Sequence, residues 1–193
     1  MITVQRPERR GAAPARDRIL ATAAALFYAE GIRAVGVDRI IAEAGVAKAT
    51  FYHHFPAKDD LVRAYLEDES ARHRAAAAGL PRTAPRETLL TIFDIVGEVG
   101  CGPGFRGCPF CNAAAEYPDP GHPVRAAVAD HRRWFRDLLT ALLAAEGHPD
   151  PDRTAAMLVV LRDGLATSSH LDDPAEVRAL VRDAVTRLLD AGP

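Results

Sequence analysis

The sequence predicts an all-α protein of about nine helices. Apolar residues recur three and four positions apart along most of the 193-residue chain, the spacing of one helix face. Glycine and proline fall between those runs, where they end or open helices. No stretch alternates apolar and polar residues with the period of a half-buried strand.

The first helix is expected over residues 16–30. Ile19, Leu20, Ala23, Leu26 and Phe27 form its apolar stripe, and Gly31 ends it. Val37, Ile40, Ile41 and Ala44 then lie on one face of a short second helix. Gly45 stops that helix at a position that often needs positive φ, a conformation glycine adopts without steric cost. A further apolar set, Val46, Phe51 and Phe55, opens at once and leaves Lys48, Thr50, Tyr52 and His53 on other faces. Two short helices joined by a glycine turn, the second carrying donors outward, are what a helix-turn-helix requires. A threonine can bond a base or touch a thymine methyl, and tyrosine and histidine donate to phosphates or base edges. The alternative for any one of these residues is an ordinary solvated position.

Pro56 breaks the chain, and Lys58, Asp59 and Asp60 open a helix over 58–78. Its Leu61, Val62, Tyr65 and Leu66 continue the core before it turns polar at Glu67, the pattern of a connector. After a break over 79–85, a helix over 85–99 carries Leu89, Ile92, Phe93 and Val96. A glycine-rich loop (100–107) leads to a short helix over 108–116, closed by proline-rich 117–123. The helix over 123–145 has a long stripe that includes Val124, His131, Trp134, Phe135, Leu138 and Leu142. The next, over 152–168, presents Met157, Leu158, Leu161 and Leu165. Asp173 caps the last helix with Pro174 at its first position. Val177, Leu180, Val181, Val185 and Leu188 line that helix, and such a stripe at a chain end suggests a buried partner or packing within the subunit.

Residues 45–61, Gly-Val-Ala-Lys-Ala-Thr-Phe-Tyr-His-His-Phe-Pro-Ala-Lys-Asp-Asp-Leu, resemble the recognition-helix signature of the TetR family of transcriptional regulators, and the likeness extends upstream over 19–43. Gly-Cys-Pro-Phe-Cys-Asn-Ala-Ala-Ala-Glu-Tyr, residues 107–117, resembles the sixth helix of one subgroup of that family. Gly36 and Ala47 depart from the family pattern, which often has a capping Ser or Thr there; loss of such a cap costs roughly 0.5–2 kcal/mol.

The resemblance implies a DNA-binding domain over 16–65 and an effector-binding and dimerisation domain over 66–193. It implies a repressor, with activation as the alternative. A homodimer joined by the last two helices, with Leu158, Leu161, Leu165, Val177, Leu180, Val181, Val185 and Leu188 at the interface, would set two recognition helices in successive major grooves of a palindromic operator in double-stranded DNA. By the same likeness Thr50, Tyr52 and His53 match groove-facing positions, while Arg39 and Lys58 match phosphate-contacting ones. Lys48 joins them as a candidate DNA contact. A small-molecule effector would tilt the fourth helix and release the DNA. Its pocket is expected among the fifth to eighth helices, walled by Phe93, Phe110, Trp134, Phe135 and Met157. Asn112, His131 or Arg162 would be polar anchors there. The alternative is a filled core.

Cys101, Cys108 and Cys111 have the spacing C-x6-C-x2-C. A structural zinc site wants four ligands, usually paired two by two, and no second pair matches, so no metal is expected. Cys108 and Cys111, i and i+3, suit a thiol switch, with Arg106 as the cation nearest in sequence; the plainer reading is small buried apolar residues. A thiol-, electrophile- or metal-responsive sensor on the same fold is therefore the rival function.

Other classes find little support. Residues 167–173 hold Ser, His and Asp together, but at a helix end without a nucleophile elbow. No phosphate loop, HExxH or GxGxxG is present, so neither an enzyme nor a bound cofactor is expected. No apolar run approaches the roughly 20 residues of a membrane helix. With no signal-peptide pattern and an odd number of cysteines, a cytoplasmic location is expected. The net charge of −2 divides unevenly: residues 1–65 hold ten Lys/Arg against seven Asp/Glu, a basic reader on an acidic body. Residues 1–15, with Arg6, Arg9 and Arg10 among Pro7, Gly11 and Pro14, read as a disordered basic tail, or as an arm reaching DNA.

Overall fold

The computed structural model describes residues 13–81 and 83–191; of the expected basic tail, residues 1–12 lie outside them. The described residues form nine helices and no strand. These are α1 (Ala15–Glu30), α2 (Val37–Ala44), α3 (Lys48–His54), α4 (Lys58–Ala78), α5 (Pro85–Gly100), α6 (Pro109–Glu116), α7 (Pro123–Glu146), α8 (Pro151–Ser168) and α9 (Pro174–Asp190). The chain divides into two compact units, Met1–Tyr65 and Leu66–Pro193.

In the first unit α1 packs on α2 and α3. Ile19, Phe27, Val35, Ile40, Phe51, Phe55, Leu61 and Val62 are buried, so the apolar stripes meet in one core. Gly45 sits at φ 62°, and its N–H turns back to the carbonyls of Ala42 and Ile41. Arg18 reaches across from α1, donating from Nε to the Ala44 carbonyl at 3.3 Å and from Nη2 to that of Gly45 at 3.4 Å. The carbonyls that end α2 thereby gain partners the helix cannot supply. Neither Gly36 nor Ala47 makes a side-chain cap bond at the start of α2 or α3.

In the second unit α5, α7, α8 and α9 enclose a core that includes Leu89, Phe93, Phe135, Leu139, Leu158, Val181 and Val185. Three of its helices begin on a side chain that accepts backbone N–H groups. His122 takes Val124 N, Asp150 takes Arg153 N, and Asp173 takes both Ala175 N and Glu176 N. The Asp150 cap is why α8 starts at Pro151, a residue earlier than periodicity alone suggests. Gly107, at φ 90°, turns the loop before α6. Asn112 closes that turn, its Nδ2 donating to the Arg106 carbonyl at 2.8 Å. Among the described residues, no helix is long and apolar enough to cross a membrane.

Candidate functional site

Helix α3 has only seven residues, and two physical demands divide them. Phe51 points inward with no exposure and packs its ring 6.2 Å from that of Phe55. Beside it, Tyr52 is 43% exposed, held edge-on to Phe51 with ring centroids 5.3 Å apart. His53 is exposed, Thr50 half-buried, and Lys48 exposed at the first turn. The row therefore offers a hydroxyl, a phenol, an imidazole and an ammonium from one short helix anchored through its opposite face. Such a row reads base edges when its helix lies in the major groove.

The flanking cations are engaged with acids of the same unit. Arg39 forks onto Glu30 at 2.5 and 2.8 Å and reaches Glu43 at 2.7 Å. The Arg39 hydrogen bond holds the Glu30 carboxyl below its ordinary value. Lys48 meets Asp38 at 3.1 Å, and that hydrogen bond, followed by its charge, raises the Lys48 ammonium. Both pairs lie at the surface, where ion pairs contribute little and exchange readily for a phosphate. Lys58 lies 5.9 Å from the centroid of the Phe27 ring, at the start of α4.

The second unit keeps its polar chemistry inside. His131, 2% exposed, stacks face to face on Phe110 with centroids 3.6 Å apart and planes within 2°. Its Nδ1 is 3.1 Å from Ser70 Oγ, and the rings of His73 and Trp134 stand 5.2 and 5.3 Å away. Arg74 lies over Trp134 at 4.9 Å. Burial, followed by the charges of His73, Arg162 and Arg74, pushes the His131 pKa down to about 3, so the ring is neutral near pH 7.

Beyond this stack, Arg162 is buried over the Phe135 ring, 5.1 Å from its centroid, and donates from Nη1 to Cys108 Sγ at 3.7 Å. Its Nε lies 3.0 Å from Asp163 Oδ1 yet has no aligned acceptor, so proximity balances the charge while the N–H goes unbonded. Asp163 also binds Arg132 at 2.5 Å and receives the Cys111 thiol at 4.0 Å.

The residues expected around a pocket thus separate. Phe110, His131 and Trp134 meet in one cluster, with Phe135 and Arg162 packed beside it. Phe93 belongs to the apolar core. Asn112 is exposed and engaged in the Gly107 turn. Met157 is 46% exposed on the outer side of α8, because its neighbour Leu158 takes the inward position. Among the residues expected at a dimer interface, Leu158, Leu165, Val177, Val181 and Val185 are no more than 6% exposed and lie in the subunit's own core. A partner would find almost none of their surface to cover. Leu161 and Leu188 are half-buried, and Leu180 is 61% exposed. Ser70, His73, Arg74, Arg132 and Asp163 were not singled out from sequence. Ser70, His73 and Arg74, at i, i+3 and i+4 on α4, did carry a helical-face signal. The cation that donates to Cys108 is Arg162, which lies 54 residues away in sequence. Among the described residues, no three His, Cys, Asp or Glu side chains come together as a metal site.

An all-α chain with a bracing helix, a tight glycine turn and an outward-facing short helix defines a helix-turn-helix DNA-binding protein. Residues 19–65 match the family described as bacterial regulatory proteins, tetR family, and residues 122–191 match the tetracyclin repressor-like C-terminal domain. A TetR-family transcriptional regulator from Streptomyces coelicolor is 46% identical in sequence. The match covers 91% of this chain and 94% of that one, with a TM-score of 0.85. A TetR regulator from Streptomyces avermitilis is 31% identical over 92% and 97% of the two chains, with a TM-score of 0.82. The HTH-type transcriptional repressor KstR2 of Rhodococcus jostii is 37% identical over 81 residues, 39% of this chain and 40% of that protein. The regulator LmrA of Bacillus subtilis is 28% identical over 124 residues, 62% of this chain and 66% of its own. The chain belongs to the TetR family of transcriptional regulators.

Proposed function

We propose that this regulator is a homodimeric repressor that binds a palindromic operator and is released by a small molecule bound in the second unit. The observation that carries the reading is the outward row Thr50, Tyr52 and His53 on a helix whose other face is locked by Phe51. Arg39, Lys48 and Lys58 flank that row, and each would exchange its present contact for DNA phosphate. The outer faces of α8 and α9 support dimerisation, since Met157, Val160 and Leu180 leave apolar surface 46%, 66% and 61% exposed. The half-buried Leu161 and Leu188 would edge that surface. The stack of Phe110, His131 and Trp134 supports an effector site, because aromatic walls and a neutral imidazole suit a largely apolar molecule with one polar group. Such an effector releases DNA only by binding the non-binding state more tightly.

A mobility-shift titration against the DNA upstream of its own gene, with wild type and Tyr52→Ala at two salt concentrations, tests the reading. A palindrome-dependent complex that weakens with salt and is lost in the variant is expected, since phosphate contacts release counterions. A complex indifferent to Tyr52 would overturn the assignment of α3 as the reader.

A further inference from the structure

We propose that Cys108 and Cys111 form a redox-active dithiol, oxidised by hydroperoxides to a disulfide within the first turn of α6. The inference stands on the second unit alone and does not depend on operator binding or on an effector.

The first ground is the position of Cys108. It is the N-cap residue of α6, at φ −70° and ψ 124°, with Pro109 in the opening helical turn. Its side chain thus stands at the start of a helix, where the first backbone N–H groups lack intrahelical partners and favour an anion. Two cysteines separated by two residues at such a start are a known setting for a stabilised thiolate.

The second ground is Arg162, whose side chain is nine-tenths buried and directs Nη1 at Cys108 Sγ. A buried guanidinium requires a nearby anion. Asp163 is shared, since Arg132 holds its Oδ2 while Arg162 Nε approaches its Oδ1 without an aligned bond. Two cations therefore face one carboxylate, and a thiolate at Cys108 supplies the second negative charge.

The third ground is the proton. Cys111 donates its thiol to Asp163 Oδ1 at 4.0 Å, so it keeps its proton beside a carboxylate while Cys108 faces the Arg162 guanidinium. The neighbouring Cys111 thiol, the Arg162 charge and the amides of the helix start outweigh burial and lower the Cys108 thiol to about 6. The adjacent Cys108 sulfur, with burial and the charges of Cys108 and Asp163, pushes Cys111 up. Facing the guanidinium, Cys108 is the nucleophile, and Cys111, facing the carboxylate, is the resolving thiol. Cys101, at the end of α5, packs against the apolar core and serves as an internal reference.

The chemistry balances with a peroxide as oxidant. The Cys108 thiolate attacks one oxygen of hydrogen peroxide, so that the S–O bond forms and the O–O bond breaks. The departing hydroxide takes a proton from solvent and leaves as water. Cys111 sulfur then attacks the sulfur of the Cys108 sulfenic acid; the S–S bond forms, the S–O bond breaks, and hydroxide leaves as water with the Cys111 proton. The two sulfurs give up two electrons, and the peroxide is reduced to two waters.

The test treats the full-length protein with hydrogen peroxide, blocks remaining thiols with N-ethylmaleimide, and maps peptides without reduction. The expected product is an unalkylated 108–111 disulfide formed at least about tenfold faster than Cys101 is oxidised. In Cys111→Ser the sulfenic acid on Cys108 should instead accumulate and be trapped by dimedone. In Arg162→Met, if circular dichroism shows it folded, oxidation of Cys108 should slow at least about tenfold. Oxidation of Cys108 no faster than of Cys101, a disulfide joining Cys101, or no dimedone adduct in Cys111→Ser would each overturn the proposal.

Discussion

Helix α3 of the first unit and α8 of the second handle neighbouring residues in opposite ways. On α3, Phe51 and Tyr52 are adjacent in sequence, yet one has no exposure and the other 43%, so support and chemistry occupy different faces. On α8, Leu158 and Arg162 are both buried, at 0% and 9%, and one turn of one face carries apolar packing and an ionised group together. A surface reader can change its specificity without touching its core. A buried cluster cannot, because each polar group there must find a partner among the packing side chains.

The contrast breaks most sharply under truncation. Phe51→Ala should cost roughly 3–5 kcal/mol and abolish DNA binding by unfolding the reader, and Leu158→Ala roughly 2–5 kcal/mol. Chemical denaturation of both variants measures this. If Phe51→Ala were tolerated within about 1 kcal/mol, the inward face of α3 would not be the anchor that the fold requires.

Acid should separate the units next. His131 is neutral in the folded protein, with a pKa lowered to about 3 by burial and by His73, Arg162 and Arg74, against 6.5 for a free ring. Between pH 6.5 and 3 the unfolded chain binds a proton that the folded chain refuses. Stability therefore falls as pH drops through that window, by roughly 5 kcal/mol at most. His131→Gln should flatten that slope, leaving the carboxylate contribution. Parallel pH profiles for wild type and variant would refute a buried neutral ring.

The nine helices of the described residues were legible because helix ends are written locally. Gly45 at φ 62° and the pair Asp173–Pro174 mark their boundaries with residues whose backbone or side chain can do little else there. The α3 row was also readable as a pattern, since apolar and polar positions alternate with the helical period. The interior of the second unit was not. Ser70 and His131 are 61 residues apart, and no local spacing announces that their side chains meet. Likewise Met157 and Leu158 both fit an apolar stripe, and only the packing of α8 decides which one faces inward. Arg162 reads as a pocket anchor, whereas it meets Cys108 at the start of α6, 54 residues away, a contact that no local spacing announces.

A smaller effect isolates the reader from its scaffold. Tyr52→Ala removes an exposed ring, so thermal stability should stay within about 0.5 kcal/mol of wild type. Operator affinity should fall by about 1–3 kcal/mol, roughly five- to 150-fold. A variant weakened in stability as much as in binding would mean that Tyr52 supports Phe51 more than it reads DNA, and the division of faces on α3 would fail.

The smallest effect has the opposite sign. Ala47 stands at the N-cap of α3 with φ −72° and ψ 149°, the extended geometry a capping residue adopts, but its methyl group can accept nothing. The first N–H groups of the seven-residue helix therefore gain no bond from it. Ala47→Ser places a hydroxyl where it can accept from one of them, and the reader should gain about 1 kcal/mol. Because the cap lies at the helix end and the anchoring ring of Phe51 is unchanged, the Thr50, Tyr52 and His53 row should keep its orientation. Denaturation should shift upward while operator affinity stays within about twofold, a difference near 0.4 kcal/mol. A gain in stability accompanied by a large loss of affinity would show that the uncapped start of α3 itself contacts DNA, where its free N–H groups would meet a phosphate.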